Sequence, residues 1–259
     1  MDLQLAGRNA LVTGGSRGIG LAIGRALARE GAGVALVGRD PVTVKERADE
    51  LAGETGARVV GIAADTGDDA SVAAMAAEAG RLLGGVDILV NNAATSSPGA
   101  FPEDALEEQI NVKVRGYLRT TRALTPAMAE RGWGRVINIA GLAARGTGSV
   151  VGSVRNVAVA AMSKNLADEL GARGINVTVV HPGMTRTETQ RASIARQAAA
   201  RGVSSEQVER EFAASVSIGR IVEADEVASV VAFLASPLSV AMNGDPVIVS
   251  GGARGAIHY

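Results

Sequence analysis

Arg8-Asn9-Ala10-Leu11-Val12-Thr13-Gly14-Gly15-Ser16-Arg17-Gly18-Ile19-Gly20 is the stretch that decides the fold. Its first six residues hold an apolar run and read as a buried strand over 8–13. From Gly18 onward, Ile19, Ala22, Ile23, Ala26 and Leu27 recur at helical spacing, so a helix runs to about residue 30. Three glycines between strand and helix have separate tasks. Gly14 permits a tight turn, Gly18 lets the backbone approach a pyrophosphate, and Gly20 lets helix and strand pack closely. The N–H groups of the first helical turn then face the phosphates. Glycine clusters also occur in empty turns. The strand before this one and the helix after it are what point to a dinucleotide.

The same alternation continues outward. Further strands are expected at 33–37, 58–62, 86–90, 135–139, 175–180 and 246–249. Helices are expected at 41–54, 68–83, 102–131, 150–172, 187–214 and 225–235. Apolar strands alternating with amphipathic helices predict a parallel sheet covered on both faces. Right-handed crossovers then give a single-domain, Rossmann-like, doubly wound α/β fold. No linker or internal repeat divides the 259 residues. Residues 187–222 are more polar and follow Pro182-Gly183, so they read as an insertion placed to act as a substrate lid.

Composition narrows the partners. Aromatic residues are only 2%, so the core must be built from Ala, Val, Leu and Ile. A net charge of −1 with no block of like charge argues against nucleic acid or an anionic membrane surface. Cysteine is absent, which excludes disulfides, thiol catalysis and Cys-ligated zinc, and no metal is expected. Met1-Asp2-Leu3-Gln4-Leu5 has no signal-peptide pattern and no apolar run is long enough to span a bilayer, so a cytoplasmic location is expected.

The second strand ends at Gly38, where an NAD-preferring site would place a carboxylate for the ribose hydroxyls. Arg39 follows, and Arg17 lies in the glycine loop. Two guanidiniums suit a 2′-phosphate, so NADP(H) is favoured over NAD(H). Asp40, or an Arg39 that simply faces solvent, leaves NAD(H) open.

The TGxxxGIG spacing at residues 13–20 resembles the short-chain dehydrogenase/reductase family. Asn91-Asn92-Ala93-Ala94 stands where that family has NNAG. Gly219-Arg220 through Glu226, Phe233-Leu234-Ala235-Ser236 and Gly251-Gly252 are similar to its C-terminal pattern. The resemblance implies an oxidoreductase whose cofactor is held by Gly14, Ser16, Arg17, Gly18, Ile19, Gly20, Arg39, Asp65, Asn91, Pro182, Gly183 and Thr187. It assigns Asp65 to adenine, Thr187 to the nicotinamide or phosphates, and Asn111 to the family's catalytic Asn. It also implies a homo-oligomer, tetramer or dimer, with the helices 102–131 and 150–172 at the interface.

The resemblance breaks at the catalytic residues. The family uses a Ser after the fifth strand and a Tyr and Lys in YxxxK on the next helix. Here the Ser position reads Ala140-Gly141, Gly152 falls at the Tyr position and Asn156 at the Lys position. No tyrosine lies between Tyr117 and Tyr259, and Lys164 is the one lysine after Lys113, so a small offset does not restore the motif. Candidates to take over are Ser149, Ser153, Asn156 and His181, each with a plainer reading as helix cap, loop contact or packed strand residue. Arg145 and Arg155 are candidates for an acidic substrate or are solvated; Tyr117 reads as core, Lys164 and Trp133 as helix support, and His258 and Tyr259 as a terminus that frays or reaches a neighbouring subunit. Three functions follow: an NADP(H)-dependent oxidoreductase with a rebuilt site acting on a small molecule, a cofactor-binding sensor or partner subunit without chemistry, or a non-redox lyase or isomerase.

Overall fold

The structure is a computed structural model and describes residues 1–95 and 103–255. The first half is β1 (Asn9–Thr13), α1 (Gly18–Arg29), β2 (Gly33–Gly38), α2 (Pro41–Thr55), β3 (Val59–Ala63), α3 (Asp69–Leu83) and β4 (Ile88–Asn91). There follow α4 (Glu103–Gln109), a π-turn (Ile110–Arg115), α5 (Gly116–Glu130), β5 (Gly134–Ile139), α6 (Val150–Leu170) and β6 (Ile175–Pro182). The rest is β7 (Thr185–Arg186), α7 (Glu188–Arg201), α8 (Ser205–Ala214), β8 (Val222–Glu223), α9 (Ala224–Ala235) and β9 (Pro246–Val249).

Seven strands form one parallel sheet in the order β3-β2-β1-β4-β5-β6-β9. The order reverses between β1 and β4, which opens a crevice at their carboxyl ends. Each face carries its own core. Ile23 and Leu27 of α1, Val44 and Leu51 of α2 and Val227 and Val231 of α9 cover one face. Val72 and Met75 of α3, Leu124 and Met128 of α5 and Leu166 and Leu170 of α6 cover the other. These cores are aliphatic, as the scarcity of aromatic residues requires.

Helix ends follow local chemistry. Asp40, Asp68, Ser149, Thr187 and Ser204 each accept a backbone N–H in the first turn of the helix they precede. The expected helix over 102–131 is interrupted: the π-turn offsets α5 from α4 within an unbroken helical path. The expected helix over 187–214 is two helices, because Gly202 takes a left-handed conformation after α7 and Ser204 caps α8. Ile194, Ala198, Val208 and Ile221 give this insertion a small core of its own, and β7 pairs with β8 at its base. Among the described residues no helix is long and apolar enough to cross a membrane, and no group of His, Cys, Asp and Glu is placed to hold a metal ion.

Candidate active site

A cleft runs along the carboxyl ends of β1, β2 and β4. Gly14, Ser16, Arg17, Gly18 and Ile19 line it with Gly38, Arg39, Asp65, Asn92, Ala93, Thr95, Val112 and Thr187. Backbone geometry makes its floor. Gly14 and Gly18 have φ of +63° and +55°, a region that side chains disfavour. A Cβ on Gly20 would lie 2.2 Å from the Gly14 carbonyl oxygen, so no side chain fits there. Arg17 precedes α1 and its side chain makes no capping hydrogen bond, so the first-turn N–H groups are left uncapped. Thr13 Oγ1 accepts from the N–H groups of Asn92 at 2.9 Å and Ala93 at 3.1 Å, tying the β4 loop to the β1 loop. Asn92 Nδ2 donates to the Thr13 and Gly14 carbonyls, both at 3.1 Å.

The charges at the β2 end are asymmetric. Arg17 and Arg39 form no ion pair among the described residues, whereas Arg25 pairs with Glu54 and Arg47 with Glu50. Asp40 is spent on α2: it accepts from the Thr43 N–H at 2.7 Å, and that hydrogen bond holds its carboxyl below the ordinary range.

A second cluster lies at the end of β5. Lys113, carried by the π-turn, is buried and donates from Nζ to the Ala140 carbonyl at 2.7 Å. Burial first and the nearby Arg155 second lower its pKa to about 7. Tyr117, one helical turn on, is also buried and donates to the Ile139 carbonyl at 2.9 Å; burial pushes its phenol pKa up. Arg155, from α6, donates from Nη1 to the Thr95 carbonyl at 2.7 Å and to Gln109 Oε1. His181 Nδ1 is 3.0 Å from the Gly141 carbonyl. Asn156 is buried against Gly141, where an added Cβ would be 3.1 Å from Asn156 Nδ2. Among the described residues, buried Thr95 Oγ1, Arg155 Nε and Asn156 Oδ1 have no hydrogen-bond partner here. Buried polar atoms are normally satisfied, so these three call for a physical explanation.

Residues 14–254 match the family profile described as enoyl-(acyl carrier protein) reductase. The chain belongs to the short-chain dehydrogenase/reductase family. It is 34% identical over 256 residues to oxidoreductase UcpA of Escherichia coli K12, covering 96% of this chain and 95% of that protein. It is 31% identical to the 3-oxoacyl-[acyl-carrier-protein] reductase FabG of Aquifex aeolicus, covering 97% and 99%. The crystal structure of L-sorbose reductase from Gluconobacter frateurii, complexed with NADPH and L-sorbose, superposes with a TM-score of 0.94 at 30% identity, covering 99% of this chain and 100% of that one.

Within this short-chain dehydrogenase/reductase, the glycine loop, Arg17, Arg39, Asp65 and Thr187 gather on one cleft as expected from the sequence. Asn91 does not. It points to the sheet side of β4, fully buried, bonded to Asn138 at 2.9 Å and accepting from Thr120 at 2.6 Å; Asn92 faces the cleft instead. Pro182 ends β6 and the Gly183 N–H donates to the Val249 carbonyl, so both serve the turn into β7. Asn111 lies in the π-turn, within the expected helical stretch. Its Nδ2 donates to the Gly67 carbonyl at 3.1 Å, and Lys113 is the side chain that the π-turn aims at β5. Ser149 caps α6 and Ser153 donates to the Gly146 carbonyl at 3.0 Å. Arg155 is not a solvated side chain. Lys164 pairs with Asp168 one turn on, and the guanidiniums of Arg8 and Arg135 lie 3.9 and 4.7 Å from the centre of the Trp133 ring. His258 and Tyr259 lie outside the described residues. Lys113 is the residue sequence reasoning missed; a lone lysine in an otherwise ordinary helical pattern carries no signal of a register change.

Proposed function

We propose that the chain is an NADP(H)-dependent oxidoreductase with a non-standard active site. One observation carries the cofactor choice: Arg17 and Arg39 flank the end of β2 with no ion pair among the described residues, while the neighbouring Asp40 is engaged as the α2 cap. A 2′-phosphate would accept from both guanidiniums. Solved relatives support the reading: an L-sorbose reductase and an actinorhodin polyketide ketoreductase were both crystallised with NADPH.

The residues present fit such a group. The Gly14–Gly20 backbone and the open first turn of α1 would hold the pyrophosphate, Asp65 the adenine side, and Asn92 to Thr95 the wall of the nicotinamide half. When bound, the reduced nicotinamide supplies a hydride. The chain's own part at the far end is unusual. Gly141, Gly152 and Asn156 stand at the positions matched to Ser, Tyr and Lys, and a Cβ on Gly152 would come within 2.9 Å of Ser149 Oγ. Lys113, Tyr117, Arg155, Asn156 and His181 are polar groups gathered there. Losing a positioned acid costs about 10²–10⁴ in rate, which leaves hydride transfer possible where orientation is kept. The insertion at 187–222 serves as the lid: Thr187, at its start, approaches Gly18, with its methyl 3.4 Å from where a Cβ would sit. Val150, Val154 and Val157 form an exposed apolar stripe on α6, which supports a homo-oligomer built on that helix.

Bare Gly141 and Gly152 favour a second reading, a cofactor-binding protein without hydride transfer. A panel of aldehydes, ketones and enones at saturating NADPH separates the two. Substrate-dependent loss of NADPH absorbance supports the oxidoreductase; tight binding with no turnover on any class supports the second reading.

A further inference from the structure

Arg155 leaves one edge of its guanidinium unused. Nη1 is engaged by Thr95 and Gln109, but among the described residues the buried Nε has no partner and no hydrogen bond is made by Nη2. The Nε–Nη2 edge presents two parallel N–H donors, the fork that a carboxylate takes bidentately. Lys113 also has capacity to spare: an ammonium has three donors, and the Ala140 carbonyl uses one. The titratable groups gathered about this pair among the described residues are Tyr117 from the same helix, Arg155 from α6 and His181 from β6, across Gly141. None of these is a carboxylate. Buried Lys113 and half-buried Arg155 therefore lie close enough for each charge to oppose the other, and among the residues whose side chains are described neither pairs with a carboxylate. Thr95, whose carbonyl Arg155 holds, also lines the dinucleotide cleft with Val112, the neighbour of Lys113. Arg155 and Lys113 thus stand behind the Thr95 and Val112 wall of that cleft.

We propose that the substrate is a small oxo acid whose carboxylate is held by the Nε–Nη2 edge of Arg155 together with Lys113. The proposal rests on the oxidoreductase reading above and adds the substrate class. The carboxylate satisfies Arg155 Nε and relieves the repulsion between the two cations. Its arrival favours the charged form of Lys113, so binding above neutrality takes up a proton. Asn156 Nδ2, beside the space that a side chain on Gly141 would fill, is left to the carbonyl end of the substrate.

Calorimetric titration of the NADPH-saturated protein with pyruvate, acetoacetate and levulinate, each beside its methyl ester, tests this. The ester keeps the carbonyl and removes the charge. At least one acid should bind about 10-fold or more tighter than its ester, the worth of charge-assisted hydrogen bonds. At pH 8 the binding enthalpy should differ between HEPES and Tris by the amount that proton uptake requires, and Lys113→Met should abolish that difference. Arg155→Lys, which keeps the charge and loses the fork, should remove most of the preference for acid over ester; it decides the matter if Arg155→Gln fails to fold. Equal binding of acid and ester, no binding of any acid to the loaded protein, or a preference unchanged in Arg155→Lys would overturn the proposal. If NADPH itself does not bind, the oxidoreductase reading falls alone, and the same acid-against-ester comparison on the purified protein still decides the anion site.

Discussion

The glycine loop after β1 and the Ala140-Gly141 turn after β5 sit at the same edge of one sheet, yet they are built by opposite means. The first is made of backbone. Positive φ at Gly14 and Gly18 and the close approach of Gly20 to Gly14 disfavour side chains, and the groups proposed to meet the cofactor are backbone N–H donors. The second is made of side chains: buried Lys113 and Asn156 and half-buried Arg155, brought in from the π-turn and α6. Backbone recognition needs glycine at fixed spacing and tolerates nothing else. Side-chain recognition can be rebuilt from whatever neighbouring elements supply, provided the buried charges find a partner.

Substitution at Gly20 should break the first region outright. Gly20→Ala places a methyl 2.2 Å from the Gly14 oxygen, forcing helix and loop apart. Overpacking of this kind costs about 1–3 kcal/mol, and the pyrophosphate cradle goes with it. Thermal denaturation should show the lower Tm and fluorescence titration the absence of cofactor binding; normal binding would mean the loop does not hold phosphates. A smaller effect is expected at the rim of the same cleft. Arg17→Ala or Arg39→Ala should weaken NADPH binding by about 10- to 100-fold, the worth of charged hydrogen bonds, and leave NADH binding unchanged.

Lys113 sharpens the other side of the comparison through pH. Its amine is held at about 7 in the folded chain against an ordinary 10.5. Between those values the unfolded chain binds the extra proton, so stability rises with pH across that window. Denaturant unfolding from pH 7 to 10 should show the rise, and Lys113→Met should remove this contribution. The smallest change is expected at Asn111, whose side chain makes one bond, to Gly67. Asn111→Ala should cost about 1 kcal/mol in urea unfolding and should change kcat little. A hundredfold drop in kcat would return Asn111 to the chemistry.

This difference in construction also decided what could be read from the sequence. The sheet, its helices and the cleft were legible because Gly14, Gly18 and Gly20 have few physical alternatives between a strand and a helix. Arg17 and Arg39 were legible for the same reason, as residues next to those fixed points. Lys113 was not: the π-turn changes the face on which α5 residues lie, and no periodicity in Ile110–Arg115 announces it. Arg155 was visible but looked solvated, because its partners Thr95 and Gln109 are 60 and 46 residues away in sequence. Asn91 and Asn92 were confused because alternate strand residues face opposite sides, and the sequence does not say which side holds the cleft.

Parallel equilibrium titrations of the wild-type protein with NADPH and NADH, followed by cofactor fluorescence, test the central claim most directly. The account predicts tight NADPH binding and NADH binding weaker by about 10-fold or more. Equal affinities, or a preference for NADH, would contradict the roles given to Arg17 and Arg39. Binding of neither would contradict the cofactor cleft itself.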